Sequence, residues 1–188
     1  LGPVCYINDF PFLKRDYASD QSYLKNLGKN LVDSNVLIFP EGTRYSEEKL
    51  LESNNYSKKN NYPEYKHVLL PKTKGSFLIY KSMLENNSID FIYDLTIDFE
   101  GVKKGKKHNA ASLIFKNDIK SVHIHCRKIP INDIPTNENE FRSWMHDLYK
   151  SKDMLLNTPV LKWENVYNKQ CINKKKNKII FYLLLLLC

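Results

Sequence analysis

Apolar residues along this chain come in short runs between polar stretches, and two of the runs end in proline. Val36-Leu37-Ile38-Phe39 stops at Pro40, and Val68-Leu69-Leu70 stops at Pro71. Compact apolar runs of that length predict buried strands of a sheet covered on both faces. Ile89 to Phe99 is rich in β-branched and aromatic residues, and Ser121 to Cys126 alternates, which predicts two more strands. Helical spacing relates Tyr23, Leu24, Leu27 and Leu31 within a segment from Tyr17 to Leu31, for which Ser19 or Asp20 can serve as N-cap. It appears again after Gly75 at Phe77, Leu78, Tyr80, Lys81 and Leu84. Residues 46 to 66 read as a helical start that gives way to a polar surface loop around Asn54 to Pro63. Pro130 and Pro135 bracket an extended connection. A last long helix follows from Glu138 to about Leu155, capped by Thr136 or Asn137, with Asn137 and Glu140 at capping-box spacing. The alternation of strands and helices predicts an α/β domain with a mainly parallel sheet flanked by helices.

A length of 188 residues fits one domain with a real core. The net charge of +8 favours anionic partners without choosing among nucleic acid, a phospholipid surface and a phosphorylated substrate. Of the 29 basic residues only four are arginines, Arg15, Arg44, Arg127 and Arg142. These are the informative cations, because a guanidinium fork grips phosphate bidentately where an ammonium is a point charge. Cys5, Cys126, Cys171 and Cys188 show no metal-binding or disulfide spacing, which fits a reducing compartment. Leu1 opens the chain with no signal-peptide pattern, and the sequence is expected to be a piece of a longer protein. At the other end a Lys cluster, 174 to 178, runs into ten apolar residues, 179 to 188. Ten residues reach only ~15 Å as helix, about half a bilayer core, so the tail reads as a truncated span or an interfacial anchor. The flanking lysines would place the domain on the cytoplasmic side.

The segment with the most chemistry is Phe39-Pro40-Glu41-Gly42-Thr43-Arg44, at the end of an expected strand, where α/β sheets hold ligands. Gly42 permits a tight turn and close approach of a ligand, Thr43 offers a hydroxyl, and Arg44 an anion clamp. Glu41 can accept hydrogen bonds that orient them. The same residues would also serve as a helix-leading turn with solvated Glu and Arg.

This hexapeptide resembles the third conserved block of the glycerolipid acyltransferases, the 1-acylglycerol-3-phosphate acyltransferases and their lysophospholipid relatives. Phe12-Leu13-Lys14-Arg15 resembles the second block, in which the Arg binds the acceptor phosphate, and Val68-Leu69-Leu70-Pro71-Lys72-Thr73-Lys74-Gly75 resembles the fourth. Tyr93-Asp94-Leu95-Thr96 resembles a later Asp-x-Thr strand of the family. Three blocks in the right order are far more specific than one. The resemblance runs from about Phe10 to about Leu155, and the lysocardiolipin and lysophosphatidylinositol branch looks most similar, from Lys14-Arg15, Pro71 to Gly75, and His123-Ile124-His125-Cys126-Arg127 leading to Ile129-Pro130.

The resemblance implies a glycerol-3-phosphate acyltransferase-like fold and transfer of a fatty acyl group from acyl-CoA to the free hydroxyl of a lysophospholipid. Lys14, Arg15, Gly42, Thr43, Arg44, Pro71, Lys72 and Gly75 are then the expected substrate-binding residues, and Glu41 the candidate catalytic residue. Acyl-CoA enters as co-substrate, with no further cofactor and no metal. The expected partners are acyl-CoA, the lysophospholipid acceptor and a membrane surface, with the endoplasmic reticulum as expected location and no nucleic acid. One departure matters: the family's His-x4-Asp block is missing, since no His here has an Asp five positions on. In the family that His takes the proton from the attacking hydroxyl. The 188 residues alone are therefore expected to be inactive or part of a longer active protein. The division expected is 1–158 for the C-terminal part of the acyltransferase domain, 159–178 for a basic linker and 179–188 for the apolar tail.

Other features of the sequence admit other readings. His123 and His125 share a strand face beside Cys126, but spacing supplies no third metal ligand, and a polar strand face accounts for them. Asp94 is expected to be a structural hydrogen-bonding group. Lys103 to Lys107 and Lys174 to Lys178 could contact phosphates in RNA or anionic lipid headgroups, whereas solvated loops are their commoner use. A catalytically inactive relative is a third possibility.

Overall fold

The structure, a computed structural model, describes residues 22–24, 26, 35–101 and 120–159. Ser46 opens helix α1 (Glu47–Lys59), its hydroxyl accepting the Lys49 amide at 3.2 Å. Glu47 and Glu48 in the first turn and Lys58 and Lys59 in the last complement the helix dipole, which carries the helix through residues expected to be loop. Their polar side chains make tertiary bonds instead. Asn54 binds both backbone groups of Tyr65, donating to its carbonyl at 2.8 Å and accepting its amide at 3.2 Å. Ser53 Oγ accepts the Leu70 amide at 2.9 Å.

Helix α2 (Thr73–Glu85) begins directly after Lys72 and buries Phe77, Leu78, Tyr80 and Met83. Strands β1 (Phe91–Glu100) and β2 (Ser121–Pro130) pair antiparallel, with Phe91 opposite Pro130, Asp94 opposite Arg127 and Glu100 opposite Ser121. A 3-10 turn, Ile131–Asp133, and helix α3 (Glu138–Leu156) follow. Asn137 Oδ1 caps α3 by accepting the Asn139 and Glu140 amides at 2.9 and 3.4 Å, as its spacing predicts. The core gathers Tyr65, Val68, Phe77, Tyr80, Ile129, Ile134, Phe141, Met145 and Tyr149, with Phe141 only 1% exposed. The Tyr80 hydroxyl donates to the Ile134 carbonyl at 3.1 Å, and the Tyr65 hydroxyl to the His146 carbonyl at 3.0 Å, so both aromatics bury their rings without stranding a polar atom.

Several expectations are corrected. Val36 to Phe39 is not a strand, and Leu37, Ile38 and Phe39 are exposed. Val68 and Leu69 are buried and Leu70 is partly so, but the run is not a strand either, because the Leu69 and Leu70 amides go to the side chains of Glu41 and Ser53 rather than to a ladder. Among the described residues the sheet has two antiparallel strands, and the mainly parallel sheet expected is not found there. β2 runs four residues past Cys126, and a 3-10 turn replaces the extended connection between the prolines. Ser22, Tyr23, Leu24 and Asn26 are helical, with Leu24 buried and Tyr23 exposed, so those two do not share a face. Leu27, Leu31, Lys103 to Lys107 and the segment 159–188, apart from Pro159 itself, lie outside the described residues. Among the described residues no helix is long and apolar enough to cross a membrane.

Candidate functional site

Pro40 and Glu41 are the corner of a turn closed by the Gly42 amide donating to the Phe39 carbonyl at 3.0 Å. Proline at the second position presets the bend, and Gly42 takes φ +67°, a left-handed conformation that a side chain would strain. The turn lies beside the segment Tyr65 to Lys72. The Lys72 amide donates to the Pro40 carbonyl at 2.8 Å, the Glu41 carboxylate accepts from the Leu69 amide, and the Tyr45 hydroxyl donates to the Lys66 carbonyl at 3.1 Å. Lys72 folds its side chain over Gly42: a Cβ at that glycine would come within 3.2 Å of Nζ and 3.3 Å of Cδ. Residues from two separate motifs thus meet.

Burial pushes the Glu41 carboxyl up to about 7, against the opposing pull of the Leu69 amide and the Lys152 ammonium. Glu41 therefore changes charge near neutral pH. Thr43 and Arg44 follow the turn at the surface, Pro71 is buried behind Lys72, and Gly75 sits in the first turn of α2 with open space where a Cβ would project. Lys14 and Arg15 lie outside the described residues. Arg142 donates to Asn139 Oδ1 at 2.8 Å on α3, and Arg127 belongs to a second cluster.

That cluster is centred on Asp94, which is 7% exposed and sits between two cations. Arg127 reaches its Oδ2 at 3.1 Å, and Lys152 reaches Oδ1. Lys152 Nζ also donates to the Leu95 carbonyl at 2.7 Å and to Thr96 Oγ1 at 3.3 Å, so its charge is both paired and hydrogen-bonded. Burial holds His125 below the usual imidazole range, with Asp94 opposing and Arg127 and Lys152 reinforcing. Burial also raises the Tyr149 phenol, with the Glu41 and Asp94 charges adding to the shift. Beside Lys152, Asp153 Oδ1 accepts the Lys66 amide at 2.8 Å and the His67 amide at 2.6 Å.

Asp94, expected to be a structural hydrogen-bonding group, accepts from Arg127 and is in addition ion-paired on both sides. Lys152 and Asp153 were not legible, since in sequence they look like an ordinary solvated pair on a helix. Serine and glutamate side chains occupy His123: Ser121 Oγ lies 2.7 Å from Nε2, and Glu100 lies 3.8 Å away. Cys126 is on the opposite, exposed face, and no group of three potential metal ligands gathers among the described residues.

A family model described as "Acyltransferase C-terminus" matches residues 112–185, a segment that includes β2 and α3 but not the Pro40 turn. The chain is 30% identical over 158 residues to lysocardiolipin acyltransferase 1 of Gallus gallus, covering 81% of this chain and 41% of that protein. It is 34% identical over 144 residues to lysophosphatidylinositol acyltransferase 10 of Caenorhabditis elegans, covering 76% and 35%. It is 30% identical over 165 residues to 1-acyl-sn-glycerol-3-phosphate acyltransferase delta of Homo sapiens, covering 81% and 40%. The chain spans about two fifths of the length of these relatives. No solved structure matches it. From the family model, these relatives and the motif blocks together, the chain belongs to the acyltransferase family that contains the lysocardiolipin, lysophosphatidylinositol and 1-acylglycerol-3-phosphate acyltransferases.

Proposed function

We propose that this chain is the acceptor-binding part of an enzyme that transfers a fatty acyl group from acyl-CoA to the free hydroxyl of a lysophospholipid. The observation that carries the reading is Lys72 lying against Gly42, which joins the Glu41-Gly42-Thr43-Arg44 block to the Pro71-Lys72 block. Arg44 and Lys72, with Lys14 and Arg15, would hold the acceptor phosphate, and Gly42 and Thr43 would let it approach the backbone. Such positioning brings the hydroxyl against the thioester carbonyl and can be worth on the order of 7 kcal/mol. Glu41, bound to the Leu69 amide, keeps the turn in register, while Pro71 and Gly75 shape the entry to α2.

Proton removal needs a base that this sequence does not hold in the family's His-x4-Asp pattern, so activity belongs to a longer protein. In that protein 1–158 is the C-terminal part of an α/β acyltransferase domain whose main sheet is parallel, 159–178 a basic linker, and 179–188 a membrane-directed tail. The +8 charge and the lysines before the tail support a membrane surface, with the endoplasmic reticulum and a cytoplasmic orientation as the setting.

The test is acyl transfer from labelled acyl-CoA to a panel of lysophospholipids by the full-length protein. Arg15→Ala and Arg44→Ala should each raise the acceptor KM or lower turnover while leaving the acyl-CoA KM unchanged. Wild-type kinetics with both replaced would remove the assigned roles, and a wild-type protein that acylates no lysophospholipid would remove the function.

A further inference from the structure

The two motif blocks that meet at Gly42 and Lys72 lie outside the segment that the acyltransferase C-terminal family model matches, yet a helix of that segment holds the residues that lead directly into the second block. Adjacent residues on a helix point about 100° apart, so one turn can grip two different neighbours. Lys152 points to β1, where it meets Asp94, the Leu95 carbonyl and Thr96. Asp153 points to the approach to Lys72, where a single oxygen, Oδ1, accepts the consecutive amides of Lys66 and His67 at 2.8 and 2.6 Å.

We infer that Asp153, seated by Lys152, is a positioning residue of the substrate site, setting Lys72 against the Gly42 turn from α3. The line of contacts is continuous. Asp153 holds Lys66 and His67; the Lys66 carbonyl takes the Tyr45 hydroxyl; three residues on, the Leu69 amide meets Glu41, and Lys72 meets Pro40. Without the carboxylate, the Lys66 and His67 amides lose a charge-assisted acceptor, and the backbone leading to Lys72 loses its fixed origin. Asp153 touches neither substrate nor turn directly, so its effect falls on the geometry of the phosphate clamp and not on the acyl donor.

The inference rests on the acyltransferase reading, and the experiment separates the two. In the full-length protein, Asp153→Ala should raise the lysophospholipid KM roughly tenfold or more, since small misplacements of positioning groups carry effects of that size. The acyl-CoA KM should stay within about twofold. Asp153→Asn keeps an oxygen at the same place and should restore the acceptor KM to within about threefold of wild type. Hydrogen exchange at Lys66 and His67 should quicken in the alanine variant and stay near wild type in the asparagine variant. Asp153→Glu moves the oxygen by one methylene and should show the same acceptor-selective change on a smaller scale, which serves where the alanine variant does not fold. Equal loss for both substrates with no rescue by asparagine, or wild-type kinetics in the glutamate variant, would overturn the positioning role. A wild-type protein that transfers no acyl group would overturn the acyltransferase reading and this inference with it.

Discussion

The turn Phe39 to Arg44 and the segment Tyr65 to Lys72 lie side by side, but they are held in opposite ways. The turn keeps its shape through one internal hydrogen bond, a proline and a glycine at φ +67°, and its last two residues are exposed. The segment is anchored from three helices' worth of surroundings: Asn54 and Ser53 of α1, Asp153 and the His146 carbonyl of α3, and the core beneath Tyr65, Val68 and Leu69, with Lys72 leading into α2. The difference separates two jobs. The segment is scaffold and sets position, while under the proposed function the turn presents the groups that would meet the acceptor's phosphate. Damage to the segment should lower stability and substrate binding together, whereas trimming the exposed groups that follow the turn, such as the Arg44 guanidinium, should lower binding with little change in stability.

The largest effect is expected from removing the anchor of the segment. Tyr65 is 3% exposed and its hydroxyl is bonded, so Tyr65→Ala should cost roughly 3–5 kcal/mol in denaturant unfolding. A cost below about 1 kcal/mol would remove the scaffold role from this segment.

Glu41 gives the next effect, through pH. Its carboxyl titrates at about 7 in the fold against an ordinary 4.5, so the folded state holds the proton more tightly than the unfolded chain. The associated stability is complete below about pH 4.5 and is lost as pH rises through about 7. Glu41→Gln stays neutral, so wild type should fall behind that variant by on the order of 2–3 kcal/mol between acid and mildly alkaline pH, read from melting curves across the range. Parallel curves for the two proteins would show that the carboxylate is not buried in this way.

The two glycines divide by conformation. Gly42→Ala should destabilise by about 1–2 kcal/mol, because L residues resist the left-handed region. It should also weaken acceptor binding by pushing Lys72 aside. Gly75→Ala meets open space inside a helix and should be neutral or stabilising by up to about 1 kcal/mol, with thermal unfolding as the readout. Equal losses at both positions would erase the distinction between the strained turn and the helix that follows the segment.

The sequence carried the local signals well where a single element decides the outcome. Asn137 capping α3, the helical spacing after Gly75, and the β-rich run from Ile89 all correspond to elements of the fold. It misled where the partner of a backbone group lies far along the chain. Val68 to Leu70 has the apolar run of a strand, yet its neighbouring donors are taken by Ser53, Glu41 and Asp153, and no local pattern announces a side-chain acceptor up to 87 residues away. Asn54 to Lys59 looked like loop for the same reason, since the bonds that fix Asn54 in a helix run to Tyr65. At the site, the motif blocks were legible because glycine, proline and arginine have narrow physical uses. Lys152 and Asp153 were not, because charged neighbours on a helix usually face water.

At the centre of the proposed function, Arg44 just past the turn and Lys72 at the end of the segment grip one acceptor phosphate. A double-mutant cycle on the acceptor KM of the full-length protein tests it most directly, with Arg44→Ala, Lys72→Ala and the pair. Two groups sharing one ligand atom cluster should be coupled by at least ~0.5 kcal/mol, the double variant losing less than the sum of the singles. Effects that add within ~0.3 kcal/mol, or an Arg44→Ala variant with an unchanged acceptor KM, would contradict the account.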